Sequence, residues 1–285
     1  MKRDTILTIL TSTAVLALAA QPALAQLELP RVSPAASVTQ TIATTEMTVS
    51  YSRPGVKERV IWGDLVPYDK VWRTGANEAT TFKTSGDVTI GGQKLPAGTY
   101  ALFTVPGKDT WEVVFNTQAE QWGSGDHDQS KDVLKLSVKP EAAPHREWML
   151  FTFENLGNQS GELVFGWEKL AVRIPIEVDI APILAEVKSA LAEAKDDDWR
   201  TPYRAAGFCL DYGVATDDGM KWAEQSTKVE QNYFNLSLLA RYQAESGKTK
   251  DAIATAEKAV ELGQKAERPV ETTPTERLIA QWKGN

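Results

Sequence analysis

A change of hydrophobic period at Pro182 constrains this chain more than any other feature. Before it, residues 31 to about 180 are broken by turn signals: Ser-Gly-Asp at 85–87, Gly-Gly at 91–92, Pro-Ala-Gly at 96–98 and Pro-Gly-Lys-Asp at 106–109. Turn signals spaced by about 8–12 residues are the mark of an antiparallel β-sandwich or barrel. The segments between them, "SVTQTIATTEMTVSYS", "VLKLSVKP", "EWMLFTFEN", "SGELVFGWEK" and "LAVRIPIEV", alternate or are rich in β-branched residues. Strand–helix alternation is missing, which argues against a parallel α/β sheet. In "YALFTV" Tyr100, Leu102 and Thr104 share one face and Ala101, Phe103 and Val105 the other. A strand apolar on both faces is expected at the centre of a sheet. After Pro182 the apolar residues Ile183, Val187 and Leu191 recur at helical spacing. The expected fold is an all-β, antiparallel sandwich over 26–180 followed by α-helical hairpins over 181–285.

The first 25 residues read as an address. Lys2 and Arg3 form a positive n-region, Ile6 to Ala20 is apolar, and Ala23-Leu24-Ala25 is an A-x-A cleavage site. The apolar run is short and no stop-transfer pattern follows it, so a cleaved signal peptide is expected rather than a membrane anchor. Cleavage would leave Gln26 first, with no membrane span and no cysteine for a lipid. The expected location is therefore exported, periplasmic or extracellular.

The whole chain has a formal charge of −7. The signal carries Lys2, Arg3 and Asp4, a net +1, so the mature chain is at −8. An acidic exported protein repels phosphate backbones, which excludes nucleic acid as a partner class. With Cys209 as its single cysteine the chain has no internal disulfide, and in "AAGFCLDYG" that cysteine reads as a packing residue.

"NYFNLSLLARYQAESGKTKDAIATAEKAVELGQK" reads as helix, turn, helix. It resembles a tetratricopeptide repeat, with Leu239-Ala240 in the first helix, Gly247 at the turn, and Ala252, Ala256 and Ala259 in the second. Gly219, Ala223 and Ser226 repeat that small-residue trio 33 residues earlier, close to the period of about 34 for such repeats. The large aromatic expected early in each first helix is out of register, and a plain helical bundle is the alternative. A groove on these helices would suit a protein or peptide partner.

"SRPGVKERVIWGDLVPYDKVWRTGANEATTF", followed by "LPAGTYALFTVPG", resembles the bacterial exported family catalogued as domain of unknown function 2911, over roughly residues 36 to 180. The resemblance implies export, the β fold and a helical tail. It supplies no catalytic residue. Relatives commonly carry Gly at the position of Glu58, which implies a turn there.

From its residues alone, that string is an irregular excursion between strands. Loops this long in a compact β domain are either functional or packed over an open end. Trp62, Tyr68 and Trp72 could form an aromatic platform for a sugar or peptide, or a plug for the end of the sandwich. Arg53, Arg73 and Glu78 are its charged group. An Arg73–Glu78 pair would staple the loop to the strand that follows. Alternatively Arg73 would receive a small anionic ligand, oriented by Asn77 and Glu78. The staple is the expected arrangement, with Trp72 buried and Asn77 in a turn. The candidate patch is therefore Arg53, Trp62, Tyr68, Trp72, Arg73, Asn77 and Glu78.

In "GDHDQSKD" Asp126, Asp128, Ser130 and Asp132 alternate like the start of a calcium loop. Lys131 takes the place of the turn glycine and Ser137 the place of the bidentate glutamate, so a solvated acidic loop is expected. His127 and His145 fit no zinc spacing. The chain contains no G-x-S-x-G, P-loop or dinucleotide fingerprint. The reading implies no metal and no cofactor, and a binding or scaffolding role in the cell envelope. Its rival is a hydrolase of carbohydrate or peptide with Glu78 as acid or base, which requires a second carboxylate.

Overall fold

A computed structural model describes residues 29–284. The expected signal peptide and its cleavage site lie outside the described residues. From Ser33 on, the chain forms one compact unit. Its first part is two antiparallel sheets and its second is six helices.

The six-stranded sheet has the order β1-β2-β3-β6-β7-β8, from β1 (Ala35–Ile42), β2 (Thr45–Ser52), β3 (Thr81–Thr84), β6 (Gly98–Val105), β7 (Trp111–Asn116) and β8 (Asp132–Val138). The four-stranded sheet has the order β5-β4-β10-β9, from β4 (Val88–Ile90), β5 (Gln93–Leu95), β9 (Glu141–Glu154) and β10 (Ser160–Glu177). Both sheets contribute to one core. Val49, Phe82, Leu102 and Phe115 come from the first, and Phe151, Leu163, Phe165 and Ile174 from the second. Tyr51 of β2 reaches across, its hydroxyl accepting the Phe151 N–H of β9 at 3.1 Å. β6 is buried on both faces, as its sequence predicts: Leu102 lies in this core and Phe103 in a separate cluster on the outer side.

Two strand boundaries differ from the sequence reading. "SVTQTIATTEMTVSYS" is a hairpin, with Ile42 opposite Thr45 and a two-residue turn at Ala43-Thr44. Ala43 has φ 51, a left-handed conformation for which alanine is no signal. Conversely, "SGELVFGWEK" and "LAVRIPIEV" are one 18-residue strand, β10. Its pairing with β9 slips on both sides of Glu168, whose φ is 56. Before the slip the core-facing residues are Leu163, Phe165 and Trp167; after it they are Val172, Ile174 and Ile176. An irregularity of this kind exchanges odd for even positions while keeping the same face buried.

The helices are α1 (Ala181–Glu193), α2 (Arg200–Tyr212), α3 (Thr216–Val229), α4 (Tyr233–Glu245), α5 (Thr249–Lys265) and α6 (Thr273–Gly284). The α2–α3 hairpin recurs as α4–α5, each helix starting 33 residues after its counterpart. Both first helices stop at a left-handed glycine, Gly213 and Gly247. Gly219, Ala223 and Ser226 of α3 are buried, as are Ala252, Ala256 and Ala259 of α5. Cys209 is fully buried, and burial pushes its thiol above the ordinary range. Among the described residues no helix is long and apolar enough to cross a membrane.

Small residues set how closely α3 approaches α2 and α4. A Cβ at Gly219 would lie 2.0 Å from Tyr242 Oη and 2.8 Å from Cys209 Cβ. The Tyr242 hydroxyl is held in place by donating to the Ala206 carbonyl at 2.7 Å. Gly219→Ala gains about 1 kcal/mol of helix propensity. It loses about 1–3 kcal/mol to overpacking and about 1 kcal/mol with the displaced hydrogen bond. A Cβ at Gly207 in α2 meets nothing within 4 Å. Urea denaturation followed by far-UV circular dichroism should show Gly219→Ala less stable than the parent and Gly207→Ala more stable.

Candidate functional site

The excursion from Arg53 to Thr80 leaves β2 and returns to β3 by a long path. Lys57 and Glu58 are both left-handed, φ 48 and 60, which accounts for a glycine being suited to position 58. Further on, the backbone of the excursion joins β6. Trp72 N–H donates to Thr104 O at 2.8 Å and Thr104 N–H to Trp72 O at 2.9 Å, and Asp69 N–H donates to Pro106 O at 2.8 Å.

This pinning delivers two indoles to the core. Trp72 is 8% exposed, and its Nε1–H donates to Gly75 O at 3.1 Å. Its ring stacks on Trp167 at 5.8 Å and meets Phe165 edge-on at 5.8 Å. Trp62 is half-buried and lies edge-on to Trp111 at 4.9 Å and to Trp167 at 5.7 Å. Tyr68 packs elsewhere within the loop: a Cβ at Gly63 would lie 2.7 Å from its ring.

The polar members of the patch are dispersed. Arg53 Nε donates to Met149 O at 2.7 Å, which ties the end of β2 to β9. Asn77 is left-handed, φ 57, as its turn role requires, and its Nδ2 donates to Ser33 O at 3.2 Å. Glu78 is exposed and forms a bridge with Trp122. The expected Arg73–Glu78 staple is not formed. Thr74, φ 52, and Asn77 turn the chain between the two residues, so that they leave on different sides. Among the described residues the Arg73 guanidinium has no ion pair and no hydrogen bond, and its Nε is buried. Desolvation lowers its pKa from the ordinary arginine value, with no carboxylate to oppose the shift.

The segment 117–131 covers the outer face of the six-stranded sheet. His127 lies edge-on to Phe103 at 4.9 Å, and its Nε2 is 2.8 Å from Asp132 Oδ1. Asn116 Nδ2 donates to the same oxygen at 2.7 Å, and Lys135 Nζ is 3.1 Å from Oδ2. Burial would raise the Asp132 pKa, but the bonds from Asn116, His127 and Lys135 outweigh it and hold the carboxyl below its usual range. Asp128 accepts the Ser130 N–H as the cap of a short 3-10 turn, Gln129–Lys131. Asp128 and Asp132 of "GDHDQSKD" therefore close this segment, while Asp126 is exposed; among the described residues no three His, Cys, Asp or Glu are gathered to hold a metal.

Sequence reasoning missed Gln121 and Trp122, which are laid against the excursion: Ala79 N–H donates to Gln121 O at 3.0 Å and Gly123 N–H to Asn77 O at 3.3 Å. Trp122 in a glycine-rich loop was the available signal; Gln121 offered none. A groove of about 500 Å³ between α2, α4 and α6 was also missed. Tyr203, Tyr233, Phe234, Leu238 and Leu278 line it, with Arg241 at its wall.

The model of a family described as protein of unknown function (DUF2911) matches residues 33–176, half of the chain, and the chain belongs to that family. No curated protein and no solved structure matches it.

The two halves of "WR" at 72–73 separate energetically. Trp72→Ala removes a buried indole and should cost about 3–5 kcal/mol. Arg73→Ala breaks no pair and should stay within about 0.5 kcal/mol of the parent. Thermal denaturation of both variants checks this. A loss of 2 kcal/mol or more in Arg73→Ala, roughly what removing one partner of a buried ion pair costs, would restore the staple.

Proposed function

We propose that this is an exported binding or scaffolding protein of the cell envelope, whose helical region docks a partner peptide while its β region presents a fixed surface. The groove between α2, α4 and α6 carries this reading. It is apolar, and Phe234 at its edge is 45% exposed. Exposed aromatic rings in a concave site are anchors for partner side chains. Arg241 is the one charged residue in its lining; its only ion pair among the described residues is a solvent-exposed one with Asp211 at 3.6 Å, which is weak enough for an acidic ligand group to share or replace. An apolar peptide segment carrying one acidic group is the complementary occupant.

The hairpin recurrence, the paired glycines and the two buried small-residue trios support a tetratricopeptide-like reading of α2–α5. The single core filled from both sheets supports a β-sandwich for the first part. Export rests on the n-region, apolar run and A-x-A site of residues 1–25.

Peptides selected by phage display on the mature protein test the role. The selected sequences should be apolar with an acidic residue. Their affinity should fall at least about tenfold, ~1.4 kcal/mol, in Phe234→Ala and in Arg241→Glu. Peptides that bind both variants as tightly as the parent would remove the groove from the account.

A further inference from the structure

Among the described residues, the outer face of the six-stranded sheet holds two polar groups of complementary kind with neither a hydrogen bond nor an ion pair; a third buried atom there, Asp132 Oδ2, has the Lys135 ammonium 3.1 Å away. Val71 packs there with Ala79, Ala101, Phe103 and Val114. Trp72 turns its ring to the opposite, core side. Alternation along this extended stretch therefore sends Arg73 to the same side as Val71. The bridge between Glu78 and Trp122 puts Gln121 opposite Ala79. Ala79 faces the Val71–Phe103 cluster, so Gln121 shares that side, while Glu78 and Trp122 are exposed.

Arg73 and Gln121 thus lie on one face, both half-buried. Among the described residues Arg73 Nε is a buried donor without a partner, and Gln121 Oε1 is a buried acceptor without one. The other end of Gln121 is fixed, its Nε2 donating to Gln118 O at 2.6 Å, so the unmatched end is Oε1, which a ligand reaches only by a local shift of the covering side chains. Buried unmatched groups are costly to keep, and a cation more so than an amide. The unmatched indole N–H groups of Trp62 and Trp111 differ in kind, because their rings are packed in the aromatic core and carry no charge.

A guanidinium fork fits the two oxygens of a carboxylate. One cation balances one negative charge. A phosphate dianion would leave excess charge in a partly desolvated place, next to the ladder that carries Glu78. The free acceptor on Gln121 calls for a donor beside the carboxylate. We propose that Arg73 and Gln121 form a subsite for a monocarboxylate bearing an adjacent N–H, as in the C-terminal residue of a peptide or an N-acyl amino acid. Arg73 takes the carboxylate and Gln121 Oε1 accepts the N–H. This subsite is separate from the helical groove, and neither depends on the other.

The test uses the full mature chain, observed by two-dimensional proton–nitrogen NMR and titrated with N-acetylalanine, its methyl ester and inorganic phosphate. N-acetylalanine should give saturable shifts centred on Arg73 and Gln121; the ester, which lacks the charge, and phosphate should not. Arg73→Gln should abolish the shifts while the rest of the spectrum keeps the parent pattern. Gln121→Leu should weaken binding at least about threefold, the effect of losing one hydrogen bond of ~0.7 kcal/mol. The assignment is overturned if N-acetylalanine gives no saturable shift in the parent, if either variant binds as tightly as the parent, or if phosphate or the ester binds as well as the acid.

Discussion

The two sheets of the β region meet at one aromatic cluster, and the path of the chain between Arg53 and Thr80 exists to complete it. Trp111 comes from β7 in the six-stranded sheet, and Phe165 and Trp167 from β10 in the four-stranded one. Trp62 and Trp72 come from neither sheet. Ring centroids lie 4.9–6.4 Å apart throughout, mostly edge-to-face, the geometry that aromatic quadrupoles favour. An excursion of this length has a large ordering cost. Burial of two indoles and the paired backbone bonds between Trp72 and Thr104 offset it. The excursion is therefore a structural member of the core, and not a lid over it.

That constraint fixes what its polar residues can do. Because Trp72 must enter the core, its neighbour Arg73 must leave on the outer face. There the segment from 117 to 131, closed by the Asn116–Asp132–His127 bonds, lies against the excursion without supplying a carboxylate to Arg73. The seven residues that look like one patch in sequence are thus dispersed: Tyr68 packs on Gly63 within the loop and Glu78 is exposed opposite Trp122, while the other five have three duties. Trp62 and Trp72 fill the core. Arg53 and Asn77 bond to backbone carbonyls that hold the loop. Arg73 is left on the surface side of the sheet, its charge unmatched among the described residues.

Much of this was legible in the sequence where one residue type has one physical meaning. The turn glycines and prolines marked the strands, the two-sided "YALFTV" marked β6 as central, and Gly247 marked the end of α4. The alanine trio of α5 and its counterpart in α3 marked the faces where helices touch. Illegible features depended on residues used against type. Ala43 and Glu168 occupy left-handed backbone that glycine or asparagine would have announced, so a hairpin turn and a strand slip went unread. The Arg73–Glu78 staple was a reasonable expectation from charge and spacing. It failed because Thr74 and Asn77 reverse the chain between them, and such turns are invisible to a count of residues. Gln121 could not have been singled out at all, since its place opposite Ala79 comes from pairing across more than forty residues.

The central claim is that the excursion belongs to the core. Native-state hydrogen exchange tests it at single amides. The amides of Trp72 and Thr104, which bond to each other's carbonyls, should exchange with the same free energy as the amides shared by β6 and β7, through global unfolding alone. If Trp72 instead exchanges through a low-energy local opening while the β6–β7 amides stay protected, the excursion is a peripheral flap and the account of the aromatic cluster is wrong.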